Sequence, residues 1–464
     1  MSSIARHALT ALWTDAGLDP AALPRIALPG EEPVLPSSFA VASALQASLG
    51  AAALAATEIG LARGAAPQTA QVDAADAVRE GSAWIRLDGR VPELWDKVSG
   101  LYRCGQGFVR IHANFAHHRD GALRLLGLPP GGDTGKAEVT AALQRWSATD
   151  FEQAAADAGL VVAALRSFDE WDAHPHSAVV AAQPLVALQR RGDAPPPRWQ
   201  PLRDDQRPLA GLRVLDLTRI LAGPVAGRTL AAYGADVMLV NSPHLPNIEA
   251  IADTSRGKLS VHLDLATAAG RDTLRQLVRE ADVFLQGYRP GALERLGFGV
   301  DELLQLNPAL VMLSLSAYGD QGPWGGRRGF DSLVQTATGF NHAEAQALGA
   351  AEPRALPLQV LDYSAGFLLA FAAQAALLRR AREGGAWSAR VTLARTGLWL
   401  RGLGRLSDVA SVQRPALEAA IEATDSGFGH LEAVRHAARL SRTPPQWVRP
   451  SMPPGSHPPA WPPR

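Results

Sequence analysis

Short, nearly unbroken apolar runs alternate with helical stretches through the second half of the chain. The runs "LRVLDLT", "ADVMLVN", "KLSVHLDL", "DVFLQGY" and "ALVMLSLSAYG" read as buried strands, and "VAGRTLAAYG" (closed by Gly234), "AAGRDTLRQLVREA" and "DELLQLN" read as helices between them. Buried strands alternating with helices predict a parallel sheet covered on both faces. Ligands of such a sheet are expected near the carboxyl ends of its strands. This α/β large domain is expected over residues 209–400. Upstream, "GFVRIHANF" reads as a strand, and "HRDGALRLLGL", "AEVTAALQRW" and "ATDFEQAAADAGL" read as helices, which predicts a smaller α+β domain over residues 80–188. The proline run and mixed charges of "QRRGDAPPPRWQPLRDDQRP" break every period, so residues 189–208 read as a linker.

Two long apolar stretches remain, Phe39 to Ala62 and Tyr363 to Leu378. Gln46 and Glu58 interrupt the first, and the second is shorter than the ~20 residues of a membrane span, so both are expected to be buried helices. Their surroundings are alike. "ATEIGLARGAAPQTAQVDAADAV" (Ala56 to Val78) and "ALLRRAREGGAWSARVTLARTGL" (Ala376 to Leu398) share a helix, a small-residue turn and a valine strand, and they align without a gap from Ser43 with Asp362 through Val72 with Val391. One reading is that residues 1–79 are a helical segment packing on, or duplicating part of, the large domain, with Ser43 in the place of Asp362; the other is chance likeness between alanine-rich helices. The first residues read as an ordinary helix, since Asp15 and Asp19 interrupt them before any long apolar region. Residues 401–464 are expected to be a helical and proline-rich extension with a disorder-prone end.

The 464 residues suffice for two or three domains. Lysine plus arginine equal aspartate plus glutamate at 45 each and are dispersed, which argues against nucleic acid and for a small-molecule ligand or a protein partner. A single cysteine, Cys104, excludes an internal disulfide framework and fits a cytoplasmic setting.

Candidate chemistry centres on Asp362, which stands between "LPLQVL" and a long apolar helix. Spacing alone makes it the cap of a helix beginning near Tyr363. "RILAGPVAG" occupies the position of a phosphate-binding turn but lacks the G-x-G-x-x-G spacing, which argues against a nicotinamide-dependent oxidoreductase. "QGYRPGALERLGFG" brings an aromatic ring and two arginines together, and "GPWGGRRGFDSL" pairs Arg327 and Arg328 on a glycine-rich loop; both suit an anionic, aromatic ligand and both also suit solvated loops. His112, His117 and His118 do not have the spacing of a standard metal site. Ser316 and Ser364 lack a nucleophile-elbow setting.

Five stretches in order, "LAGLRVLDLTRILAGPVAGRTLAAYGADVMLV", "GKLSVHLDL", "ADVFLQGYRPGALERLGFG", "LNPALVMLSLSAYGDQGPWGGRRGFD" and "LPLQVLDYSAGFLLAFAAQAALL", resemble the family III CoA-transferases, the carnitine and formyl-CoA transferase type that also includes α-methylacyl-CoA racemases. "GFVRIHANFAHHRDGALRLLGLP" and "FEQAAADAGLVVAALRSFDEWDAHP" look like that family's small domain, which normally follows the large one; here it precedes it, so the order looks permuted or partly duplicated. The resemblance implies a Rossmann-like large domain, an interlocked homodimer, no metal, and coenzyme A passing between an acyl-CoA and a carboxylic acid. It places the catalytic aspartate at Asp362, acting through an aspartyl-CoA intermediate. It places coenzyme A contacts at Leu221, Ala222, Leu263, Leu265, Gly287, Tyr288, Arg295, Arg328, Gly329, Phe330 and Asp331. Asn241 and Ser242 depart from the family's acid and base at the second strand, and Arg219 stands where formyl-CoA transferase has a histidine. The racemases' proton-transfer histidine corresponds to Phe330, which cannot move a proton, so a transferase is favoured over a racemase. A catalytically silent CoA-binding or assembly subunit is the further alternative.

Overall fold

The computed structural model describes residues 3–463. The chain opens with α1 (Ile4–Asp15), β1 (Ile26–Ala27), α2 (Val41–Ala62), β2 (Ala70–Val72) and α3 (Ala74–Glu80). A smaller unit comes next: β3 (Ile85–Leu87), β4 (Gly100–Arg103), β5 (Phe108–Ile111), α4 (Ala116–Leu125), α5 (Lys136–Leu143), α6 (Ala148–Asp157), β6 (Val162–Ala164), α7 (Phe168–Asp172), α8 (Pro175–Ala181) and β7 (Ala187–Arg191). The large domain then runs β8 (Arg213–Leu217), α9 (Ala222–Ala232), β9 (Asp236–Asn241), α10 (Ile251–Thr254), β10 (Lys258–His262), α11 (Ala268–Glu280), β11 (Val283–Gln286), α12 (Val300–Leu306), β12 (Val311–Ser316), α13 (Asp331–Ala337), α14 (Phe340–Ala347), α15 (Val360–Glu383), β13 (Ala386–Thr392) and α16 (Leu393–Gly402). A tail adds β14 (Ile421–Ser426), β15 (Gly429–Val434) and β16 (Ala438–Leu440).

The expected α/β sheet is present. Seven strands lie in the order β10-β9-β8-β11-β12-β13-β7, the first six parallel and β7 antiparallel at the edge. One face packs on α9 and α15 and the other on α11 and α12, which explains why β8 is buried along its whole length. The small unit has its own apolar core beneath β4-β5-β6.

Two expectations are corrected at the ends of segments. The region read as a linker begins inside β7, where "ALQRR" pairs with β13 from Ala187 opposite Arg390 to Arg191 opposite Ala386. The region read as a helical extension contains no α-helix beyond α16 among the described residues. Instead, β14 and β15 form a hairpin that takes β3 as a third strand, and β16 joins β1 and β2. The proline-rich end is ordered along the exposed edge of the large sheet: Gly257 N–H donates to Arg449 O (2.9 Å) and His457 N–H to Ser260 O (2.9 Å). Such a cover protects an edge strand from pairing with foreign chains.

The two long apolar helices are core elements. α15 is buried at every residue from Val360 to Leu377, packed between α9 and α2. Its small residues allow close approach: a Cβ at Gly366 would meet Ala222 O at 2.5 Å.

An ion-pair cluster knits the N-terminal segment, the large domain and the tail together. Arg228 of α9, 1% exposed, reaches Glu80 of α3 through Nη2 (2.9 Å) and Asp253 of α10 through Nη1. Arg256 shares Asp253 and donates to Val434 O (2.8 Å) in the tail, with its guanidinium 3.8 Å from the Trp447 ring centroid.

Candidate active site

The carboxyl ends of β8, β11 and β12 open into a cavity of about 390 Å³, closed on its far side by the small unit. α9 starts directly after β8. The turn between them holds Ile220 at φ 77°, a left-handed conformation that a β-branched residue rarely adopts, and such strain clusters at functional loops. Leu221 and Ala222 therefore face the cavity at the start of α9. Beneath them, buried Lys258 donates to Asp216 Oδ2 (2.7 Å) and to Pro224 O (2.8 Å), fixing the first turn of α9 to β8 and β10. A side chain at Gly227 would collide with that pair, its Cβ 2.2 Å from Asp216 Oδ2.

Asp362 lines the cavity and is 8% exposed. It is not the cap expected from spacing. α15 begins at Val360, so Asp362 is its third residue, and Gln359 in the cap position makes no side-chain capping bond. The capping is done from a distance by Asp331, whose Oδ2 accepts the amides of Leu361 (2.7 Å) and Asp362 (2.9 Å). Asp331 is 0% exposed and also takes a bond from Gln335 Nε2, so it anchors the helix rather than presenting itself as a ligand contact.

The two carboxyls form one electrostatic unit. Burial pushes Asp331 up to about 7 despite its bonds from the Asp362 amide, Gln335 and the Leu361 amide and the nearby Arg110 guanidinium. Burial, and then the charge of Asp331, push Asp362 well above the usual carboxylate range. Asp331 receives the N–H bonds that favour its charged form, and that charge in turn disfavours ionisation of Asp362. Burial raises Asp362 in spite of its place in the first turn of α15.

Of the other positions singled out, Gly287, Tyr288, Arg328, Gly329 and Phe330 also line the cavity. Leu263 and Leu265 lie outside that lining, against the core under α11, and Arg295 sits exposed in the turn 294–296. The small unit contributes residues that the sequence did not mark as site residues: Phe115, His117 and His118, at the start of α4. His118 Nε2 lies 3.1 Å from Arg328 Nη1, and the His112 ring stacks on Phe330 at 3.9 Å between centroids. Burial, followed by nearby positive groups, pushes His112 and His118 down to about 3, so both are neutral. Arg219, Arg289, Arg327 and Arg328 complete the lining, and Asp362 is its only carboxylate among the described residues. The arrangement suits a polyanionic ligand with an apolar arm reaching one buried carboxyl group.

The profile of CoA-transferase family III matches residues 209–418. The large domain belongs to CoA-transferase family III. Among curated proteins, the chain is 31% identical over 325 residues to an acetyl-coenzyme A transferase of Hypoxylon pulicicidum, covering 65% of the chain and 54% of that protein. It is 38% identical to a probable fatty acyl-CoA transferase of Mycobacterium tuberculosis (40% of the chain, 50% of that protein). It is 36% identical to a succinate–glutarate CoA-transferase of Agrobacterium fabrum (38% and 48%). A crystal structure of a CaiB/BaiF family protein from Brucella suis has a TM-score of 0.38 to it at 28% identity, covering 48% of this chain and 65% of that one. The chain spans about half the length of the curated relatives it matches.

Proposed function

We propose that this protein transfers coenzyme A between an acyl-CoA thioester and a carboxylic acid, with Asp362 as the covalent nucleophile. The observation that carries the reading is the position of Asp362, the sole carboxylate among the described residues lining an arginine-rich cavity at the strand ends of a family III domain. In its ionised form, the Asp362 carboxylate attacks the thioester carbonyl, forming a mixed anhydride and expelling CoA thiolate. The thiolate attacks the aspartyl carbonyl of that anhydride, leaving an aspartyl-CoA thioester and releasing the donor acid. An acceptor carboxylate displaces CoA to give a second anhydride. Thiolate attack on its acceptor carbonyl then releases the new acyl-CoA and regenerates Asp362. The arginines balance the phosphates, and Phe115, Ile220 and Phe330 shelter the anhydrides from water. The buried, unbridged thiol of Cys104 supports a cytoplasmic setting.

The test is intact-mass spectrometry after incubation with a panel of acyl-CoAs and hydroxylamine. A hydroxamate on Asp362 in the wild type and none in Asp362→Ala is the expected result. Absence of any adduct, with coenzyme A binding retained, would replace this reading with that of a silent CoA-binding subunit.

A further inference from the structure

The likeness between residues 41–80 and the region around Asp362 holds in three dimensions, element by element. α2 begins at Val41 and α15 at Val360, each after a residue of nearly the same unusual conformation (Ala40 φ −75°, ψ 60°; Gln359 φ −80°, ψ 60°). Ser43 and Asp362 are then both third residues of their helices. In the same ungapped alignment, β2 falls on the middle of β13. Asp73 and Thr392 both cap the next helix with their side chains, and α3 and α16 start at the aligned Ala74 and Leu393. Even the amide anchor recurs: Ser43 N–H donates to Glu32 Oε1 (2.7 Å), as Asp362 N–H donates to Asp331 Oδ2 (2.9 Å).

The sheet neighbours repeat too. β13 has a parallel neighbour, β12, with Leu313 opposite Ala389, and an antiparallel one, β7, with Leu188 opposite Ala389. β2 has a parallel neighbour, β1, with Ile26 opposite Ala70, and an antiparallel one, β16, with Leu440 opposite Ala70. Ala70 and Ala389 are aligned positions.

The closing strands are crossed. The chain leaves the first copy at α3, builds the small unit, and returns as β7 to the second copy. It leaves the second copy at α16, builds the β14-β15 hairpin, and returns as β16 to the first. Reciprocal exchange of an equivalent element is what a swapped symmetric dimer does between two chains. Here one chain does it with itself, and α2 lies on α15 where the two copies meet.

We infer that this chain is a pseudo-dimer in cis: residues 26–80 with β16 form a silent second half that occupies the α15 face which a second copy of the large domain would otherwise cover. The duplication and the crossed pairing rest on backbone geometry; only the silence of the first half rests on the transferase reading. Ser43 leaves the first half without a nucleophilic carboxylate. Its β1–α2 connection, residues 28–40, is also too short to carry the glycine-rich loop and α13 that the β12–α15 connection supplies. The described residues thus form one such site, and the face that would recruit a second copy is already filled, so the homodimer expected from sequence is replaced by a monomer.

Sedimentation velocity on the full chain, from about 1 to 100 µM, tests the inference. A single species of 49.1 kDa at all concentrations is expected; a stable species of twice that mass overturns it. A second measurement reads the crossing directly. Gln71 and Arg439 are exposed and directly opposite in the β2-β16 pair, so Gln71→Cys with Arg439→Cys gives two thiols in register. Mild oxidation is expected to link them within one chain; covalent dimers would show that the tail strand comes from another molecule. Either result is independent of whether Asp362 reacts, so failure here leaves the hydroxamate test standing.

Discussion

Replacing Arg228 by Met is expected to destabilise the protein by about 3–5 kcal/mol, the usual cost of removing one partner from a buried ion pair. Methionine fills most of the arginine's volume, so little of the loss arises from a cavity. The rest can be apportioned from the geometry. Asp253 keeps Arg256, whereas Glu80 keeps only the Ala437 amide (2.7 Å) and His436 Nδ1 at 3.8 Å, a ring that burial holds neutral. Most of the penalty therefore falls on a stranded Glu80 carboxylate. Adding Glu80→Gln removes that charge, so the double variant should be more stable than Arg228→Met alone. Urea denaturation of the wild type, Arg228→Met, Glu80→Gln and the double variant, followed by tryptophan fluorescence, gives the four free energies of a double-mutant cycle. A loss below about 1 kcal/mol for Arg228→Met, or a double variant no better than the single one, would refute the assignment of this cluster as the clasp of the fold.

Because Asp362 is held above the usual carboxylate range by burial and by Asp331, hydroxamate formation should still be rising with pH above that range; Asp331→Asn removes the neighbouring charge and should move the rise to lower pH, and an unmoved profile would deny the coupling. Arg328→Ala should weaken coenzyme A binding about 10- to 100-fold by titration calorimetry, the worth of a hydrogen bond to a charged group, with a flatter salt dependence than the wild type. Gly366→Ala should destabilise by about 1–3 kcal/mol in thermal denaturation, because the new methyl group meets Ala222 O and the Val225 side chain and must push α9 off α15.

The large sheet was legible because its strands are buried on both faces and so read as unbroken apolar runs between helices. Edge elements were not. β7 carries "ALQRR", whose charged end pairs only along one side, and next to a proline run it looks like linker. The hairpin over 421–434 had a signal in the turn "DSGFG" between alternating residues, but the many prolines between Pro444 and Pro463 outweighed it. Asp362 and the arginines of the glycine-rich loop, singled out from the sequence, line the cavity, but the cap was misassigned. Spacing reports neighbours along the chain, whereas Asp331 reaches α15 from the start of another helix. Phe115, His117 and His118 were out of reach for the same reason: only the fold lays the small unit over the strand ends.

The pairing of α2 with α15 also bears on how the protein is made. Both helices are long and apolar enough to cross a bilayer by composition, and in the folded chain 89% and 100% of their apolar windows are buried. At a synthesis rate of about 5–20 residues per second, α2 emerges tens of seconds before the helix that covers it. During that interval it is the kind of exposed greasy segment that chaperones and membrane-insertion machinery both recognise. Nascent chains halted before α15 should therefore depend on chaperones, and that dependence should end once the chain has passed Glu383.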